Sequence, residues 1–229
     1  MKILAIGAHP DDIEIFFYGT LAACVARGDE VRLAVATDGG AGGSGSKTSL
    51  IQQRADETIK GLSKIVRPYL LNFSDGKLSS EVKASEVITS LVNEFQPDAI
   101  ITHAPEDYHP DHRALSFLVQ DAAGFKCPLF FADTLMGIEF VPEFYVDITE
   151  FFAEKTDAIM THNSQDPKRF AACAKLQNRF RAGQCNAPDN HYAEAFRIFR
   201  RFPFAHAGGI LPPAPPHRPF YIPGSNAFI

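Results

Sequence analysis

Lys2-Ile3-Leu4-Ala5-Ile6-Gly7-Ala8-His9-Pro10-Asp11-Asp12 decides the fold: an apolar run of strand length leads straight into a turn of imidazole and carboxylates. Ile13 to Arg27 continues with helical periodicity, Gly28 is placed to close that helix in a left-handed cap, and Glu30 to Thr37 returns as a β-branched strand. The same alternation then repeats. After a Gly/Ser loop at Gly39 to Ser46, Ser49 to Ile65 reads as helix and Pro68 to Phe73 as the third strand. Glu81 to Phe95 follows as helix and Asp98 to His103 as the fourth strand. This order predicts an α/β fold, a three-layer Rossmann-like arrangement with a mainly parallel sheet, right-handed crossovers and helices on both faces. Beyond Pro128 the pattern loosens, with strands expected at Leu129 to Ala132 and Phe144 to Val146 and helices at Glu150 to Met160 and Lys168 to Arg181. One domain is expected over residues 1–202. Residues 203–229 form an irregular tail rich in Pro and Gly, which cannot be a regular helix or a central strand. That tail either drapes over the surface, closes the site or docks a neighbouring subunit.

Composition narrows the function. A chain of 229 residues with 45% hydrophobic content can fill a single substantial core. Its net charge of −5, with no Lys/Arg run, argues against a nucleic-acid partner, whose backbone is held by clustered cations. Cys24, Cys127, Cys173 and Cys185 form no CxxC pair and are too few for a disulfide scaffold, which points to a reducing, cytoplasmic setting. No stretch approaches the roughly 20 apolar residues of a membrane span. Asp11 and Asp12 come too early for the apolar region of a signal peptide.

Chemistry concentrates in two segments, Ala8-His9-Pro10-Asp11-Asp12 and His109-Pro110-Asp111-His112-Arg113. Carboxylates and neutral imidazoles drawn together into a cleft lose solvation, and a divalent cation is the simplest group that satisfies both. In a doubly wound sheet the ligand crevice lies beyond the carboxyl ends of the strands where the winding reverses, here between the first and fourth strands. Both segments follow those strands, so the fold should bring them together as one metal site. His109 and His112 are three apart and, with Pro110 opening a helix, can share one side of its first turn, one on the metal and one toward substrate. His103, His162, His191, His206 and His217 lack metal-ligand spacing.

Two rival motifs fail. Gly40 to Thr48 resembles a phosphate loop, but Ser46 stands where GxxxxGK[ST] requires Gly before Lys47. After the first strand the dinucleotide fingerprint is absent, and two carboxylates there would repel a pyrophosphate.

Ala8-His9-Pro10-Asp11-Asp12-Ile13-Glu14, Gly19-Thr20-Leu21-Ala22 and Pro97-Asp98 through His109-Pro110-Asp111-His112-Arg113 resemble the LmbE/PIG-L family of zinc-dependent de-N-acetylases. Weaker echoes are Arg54 to Glu57, Ser74-Asp75-Gly76, His162 to Gln165 and Glu194-Ala195-Phe196, so the resemblance spans roughly residues 1–200. It implies His9, Asp12 and His112 as metal ligands, Asp11 as general base and His109 as electrostatic catalyst or general acid. Asp111 would hold His109 in its charged form, and Arg54 resembles a sugar-contacting arginine. The implied cofactor is Zn²⁺, with Fe²⁺ or Co²⁺ able to occupy the same ligands. The implied partner is an N-acetylated sugar or small glycoconjugate, with homo-oligomerisation left open. Two departures bear on substrate choice: the glycine loop lacks an acidic residue near Gly40 or Ala41, and Phe16-Phe17-Tyr18 is bulkier than usual. The alternatives are a metal phosphoesterase, which needs two metals, and a non-catalytic carbohydrate- or nucleotide-binding module.

Overall fold

The computed structural model describes residues 1–43 and 46–218. Four successive strands, β1 (Lys2–Gly7), β2 (Glu30–Thr37), β3 (Tyr69–Phe73) and β4 (Ala99–His103), are joined through α1 (Asp12–Phe16), α2 (Tyr18–Ala26), α3 (Lys47–Gly61) and α4 (Ala84–Phe95). The chain continues through α5 (Pro110–Ala123), β5 (Leu129–Ala132), β6 (Phe144–Asp147), α6 (Phe152–Ile159), α7 (Pro167–Gln184) and β7 (Ala193–Ile198). The sheet order is β3-β2-β1-β4-β5-β7-β6, parallel from β3 through β5, with β7 antiparallel to both β5 and β6. The winding therefore reverses between β1 and β4, as the motif argument requires.

Burial on both faces explains the unbroken apolar strands. Ile3, Ala5, Leu33, Val35, Ile101 and Phe130 point into one core, and Leu4, Ile6, Ala34, Ala36, Ile100 and Phe131 point into the other. A strand covered on both sides shows no polar alternation.

Two features depart from the sequence reading. The helix expected at Ile13 to Arg27 breaks at Phe17 (φ −144°, ψ 15°) into α1 and α2. The break lets the first N–H groups of α2 reach a buried carboxylate: Glu194 accepts from Gly19 N (3.0 Å) and Thr20 N (2.8 Å), and Lys155 Nζ donates to it at 2.6 Å. Gly19 is needed for this close approach, since a Cβ there would lie 2.6 Å from Cβ and Cγ2 of Ile148. Gly19→Ala is expected to cost about 1–3 kcal/mol by overpacking, read as a lower denaturation midpoint. An unchanged midpoint would mean that Ile148 yields freely. The second departure is β7, which carries Glu194-Ala195-Phe196 and was not foreseen as a strand.

The described part of the tail lies against the domain. Arg27 Nη2 donates to Ile210 O (2.8 Å), Asp147 N on β6 donates to Pro213 O (2.9 Å), and Pro212 is buried. None of its residues lines the cleft described below. Residues 219–229, part of the expected irregular tail, and Ser44-Gly45 of the near-phosphate loop lie outside the described residues. No helix among the described residues is long and apolar enough to cross a membrane.

Candidate metal centre and active site

Neighbouring strands hold the loop after β1 in place. Thr37 at the end of β2 donates to Ala8 O through both N and Oγ1 (2.8 Å each), and Ala8 N donates to Nε2 of His103 at the end of β4 (3.1 Å). The chain then turns sharply. Asp11 adopts φ 136°, a region L-residues avoid, and Asp12 N bonds back to His9 O at 3.2 Å. The strained turn sends two consecutive carboxylates different ways. Asp12 Oδ2 folds back to accept from His9 N (2.6 Å), whereas Asp11 Oδ2 stands 3.1 Å from Nη2 of Arg54.

Three atoms then converge. His9 Nδ1 to Asp12 Oδ2 is 3.2 Å, His9 Nδ1 to His112 Nε2 is 3.2 Å, and His112 Nε2 to Asp12 Oδ2 is 3.3 Å. The outer nitrogens of both rings face carboxylates: His9 Nε2 lies 3.2 Å from Asp75 Oδ1 and 3.3 Å from Asp111 Oδ2, and His112 Nδ1 lies 3.0 Å from Asp107 Oδ2. With the ring protons on those outer nitrogens, two imidazole lone pairs and one carboxylate oxygen face one another. A divalent cation would satisfy that arrangement. A tetrahedral zinc site with bonds of about 2.0–2.1 Å has ligand–ligand edges of about 3.3 Å, so the triangle fits such an ion with one position left for water or substrate.

Electrostatics agree. Burial raises the Asp12 pKa, yet the charges of His112, His103 and His9 carry it well below the usual carboxylate range. Burial likewise opposes protonation of His112, and Asp12 and Asp107 overcome it, raising the imidazole to about 9. This pocket calls for positive charge, as protons or as a metal. Asp11 behaves differently: burial dominates, partly offset by Arg54, and its pKa rises to about 6.

His109 caps α5, its Nδ1 accepting the N–H of Asp111 at 3.2 Å, which leaves its proton on Nε2. Its ring centroid lies 4.5 Å from that of His9 and 4.8 Å from that of His112. Burial and those two imidazoles lower its pKa. The expected support from Asp111 is corrected here, because the Asp111 carboxylate does not reach His109. It accepts from Gly76 N (2.7 Å) and Leu78 N (3.1 Å) and faces His9 Nε2, so its hydrogen bonds serve the loop after β3 and His9 instead of the His109 ring.

Arg54 lines the cleft and is 3% exposed, with Nη2 donating to Pro10 O (2.8 Å) and Nη1 to Gly39 O (3.1 Å).

The cleft holds about 300 Å³. Its lining combines the centre, Asp11, Asp75 and His109 with the apolar Ile15, Phe16, Leu135 and Phe170 and with Tyr108. Phe16 stands edge-on to the rings of His103 and His112 at 5.5 and 5.9 Å, so the bulky residue noted in the sequence borders the centre itself.

Sequence reasoning missed two residues of the centre. His103 stacks on His112 with centroids 3.8 Å apart and places Nε2 3.1 Å from Asp12 Oδ2. Its signal was its position as the last residue of β4, at the winding reversal. Asp107, 2% exposed, braces His112 and accepts from His109 N at 2.8 Å. It stands two residues before His109, close enough to have been considered. Asp107→Ala is expected to weaken metal binding about 10–100-fold, the usual effect of removing a carboxylate behind a histidine ligand. Competition with a chromogenic chelator measures it, and unchanged affinity would remove Asp107 from the centre.

The sequence profile of the PIG-L family, described as GlcNAc-PI de-N-acetylase, matches residues 4–123, which carry every residue of the triangle. The chain belongs to this family. Diacetylchitobiose deacetylase of Thermococcus kodakarensis is 28% identical over 192 residues, covering 73% of this chain and 71% of the relative. The solved N,N'-diacetylchitobiose deacetylase from Pyrococcus horikoshii superposes with a TM-score of 0.75 at 25% identity, covering 89% of this chain and 87% of that one. The 4-carboxy-2-hydroxymuconate hydratase GalB from Pseudomonas putida shares the fold at a TM-score of 0.77 and 18% identity, over 87% of this chain and 96% of that one.

Proposed function

We propose that this PIG-L family chain is a metal-dependent hydrolase that removes the acetyl group from an N-acetylated amino sugar or a related small glycoconjugate. The observation that carries the reading is the triangle of His9 Nδ1, Asp12 Oδ2 and His112 Nε2, flanked by Asp11 and His109. Those three residues would hold Zn²⁺. When bound, it supplies a Lewis acid for the acetamide carbonyl and the attacking water.

The protein groups divide the remaining work. Asp11 accepts a proton from water as its oxygen bonds to the carbonyl carbon, and returns it to nitrogen as the C–N bond breaks to give acetate and an amine. His109, with its proton on Nε2, donates to the carbonyl oxygen as negative charge develops there. The aromatic lining of Phe16, Phe170 and Tyr108 suits the flat C–H face of a pyranose, and the polar lining suits an acetamide. Asp11, Asp12 and Asp75 line the cleft, and the one Arg or Lys side chain among its described lining residues is Arg54, already paired with Asp11. That balance favours a neutral acetamide over a polycarboxylate.

The test is a panel of N-acetylated mono- and disaccharides incubated with metal-loaded protein and scored for free amine, beside metal analysis of the same sample. Amine release with one ion per chain is expected. Phosphate release from sugar phosphates with two ions per chain would replace the reading by phosphoesterase chemistry. Binding without turnover would leave a carbohydrate-binding module.

A further inference from the structure

We infer that Phe16 sets the acyl group this chain accepts, closing the cleft beside the metal centre so that acetyl fits and longer acyl chains do not; the inference rests on the deacetylase reading above. Of the bulky run Phe16-Phe17-Tyr18, Phe17 and Tyr18 are buried in the core, and Phe16 is the one that lines the cleft. Its ring stands edge-on to that of His112, a member of the triangle, at 5.9 Å and to that of His103 at 5.5 Å. The apolar part of the lining thus comes up to the centre at Phe16.

Amide chemistry decides which part of the substrate meets that ring. Water attacks at the centre, so the carbonyl has to lie against the triangle, and the first acyl carbon is bonded to it at about 1.5 Å. The acyl group and the sugar nitrogen leave the carbonyl carbon in opposite directions. The acyl group therefore falls among the residues bordering the centre, while the larger sugar extends away from it, over the rest of the aromatic lining. Asp11, Asp75 and His109 are polar, so an acyl methyl sheds water favourably against Phe16.

The ring has little freedom to step aside. Phe16 is the last residue of α1, and immediately after the break at Phe17 the first N–H groups of α2 are bonded to Glu194 at 3.0 and 2.8 Å. Phe16 is 8% exposed and belongs to the same core cluster as Ile13, Phe17 and Leu21. A close-packed wall yields little to an added methylene, and each methylene is worth about 10–200-fold in discrimination. The cleft of about 300 Å³ lies at the lower end of small-molecule sites, which run from about 300 to 1,000 Å³, so it offers little room elsewhere.

The experiment compares wild type, Phe16→Ala and Phe16→Leu on the N-acetyl, N-propionyl and N-butyryl forms of the best sugar of the amine-release panel. The quantity read is the ratio of kcat/KM between acyl groups within one preparation, which does not depend on folded fraction or metal loading. Wild type is expected to favour acetyl over propionyl by at least about tenfold and over butyryl by more. Phe16→Ala removes the six ring carbons, more than the two methylenes that separate butyryl from acetyl, and is expected to shrink the acetyl-to-butyryl preference at least about tenfold. Phe16→Leu should shift the ratios the same way by less, and it carries the test should the alanine variant fold poorly. A wild type that cleaves acetyl and butyryl equally well would overturn the inference. So would variants that keep the wild-type acyl ratios, or that change only the ratio between N-acetylated mono- and disaccharides, which would turn Phe16 toward the sugar. A wild type that releases amine from no member of either series would sink the deacetylase reading and the inference with it, whereas an active wild type with unshifted variants sinks the inference alone.

Discussion

Asp11→Asn is expected to lower turnover by roughly two to three orders of magnitude while leaving the metal bound, the usual worth of a positioned general base. Asparagine preserves the shape and can still accept a bond from Arg54, but it cannot take a proton from water. The metal should stay because Asp11 is not part of the triangle: its Oδ2 faces Arg54 at 3.1 Å, while Asp12 Oδ2 lies within 3.3 Å of both His9 Nδ1 and His112 Nε2. Steady-state kinetics with elemental analysis of the same preparation separate the two effects. Loss of metal with normal activity per bound ion would reverse the roles of the two aspartates.

His112→Ala is expected to abolish activity at metal concentrations that saturate wild type, because it removes one of three donors and leaves His9 and Asp12 to hold a cation alone. The loss extends beyond the donor. Asp107 Oδ2 would lose the imidazole 3.0 Å away, keeping the bond that Oδ1 accepts from His109 N, and the ring that stacks on His103 at 3.8 Å would be gone. Removing one partner of a buried carboxylate is destabilising, so a lower denaturation midpoint should accompany the loss of metal. Full metal occupancy in this variant would show that the ion sits elsewhere in the cluster, with His103 and Asp12 as the first ligands to test.

Several features were legible in the order of residues because they depend on local spacing and on general rules of sheet winding. Apolar runs of strand length alternating with helical periods produced the parallel β1 to β5 core. The rule that ligands gather where winding reverses placed His9, Asp12, His109 and His112 in one cleft. The likeness of the two motifs to the PIG-L family then implied His9, Asp12 and His112 as the metal set, and those side chains lie 3.2, 3.2 and 3.3 Å from one another.

What the residues alone could not settle was the partner of each charged group. Asp111 precedes His112 and follows His109 by two, so proximity suggested that it served His109; packing against the loop after β3 turned its carboxylate to His9 instead. Arg54 lies on an otherwise polar helix, and only the folding of two loops over it made it a buried neighbour of Asp11. The break at Phe17 answers to Glu194 on β7, a strand with no polar alternation because it is covered on both faces. Local periodicity constrains backbone conformation within a few residues, whereas a buried carboxylate takes whichever donor the tertiary packing brings within about 3 Å, and that donor can come from any part of the chain.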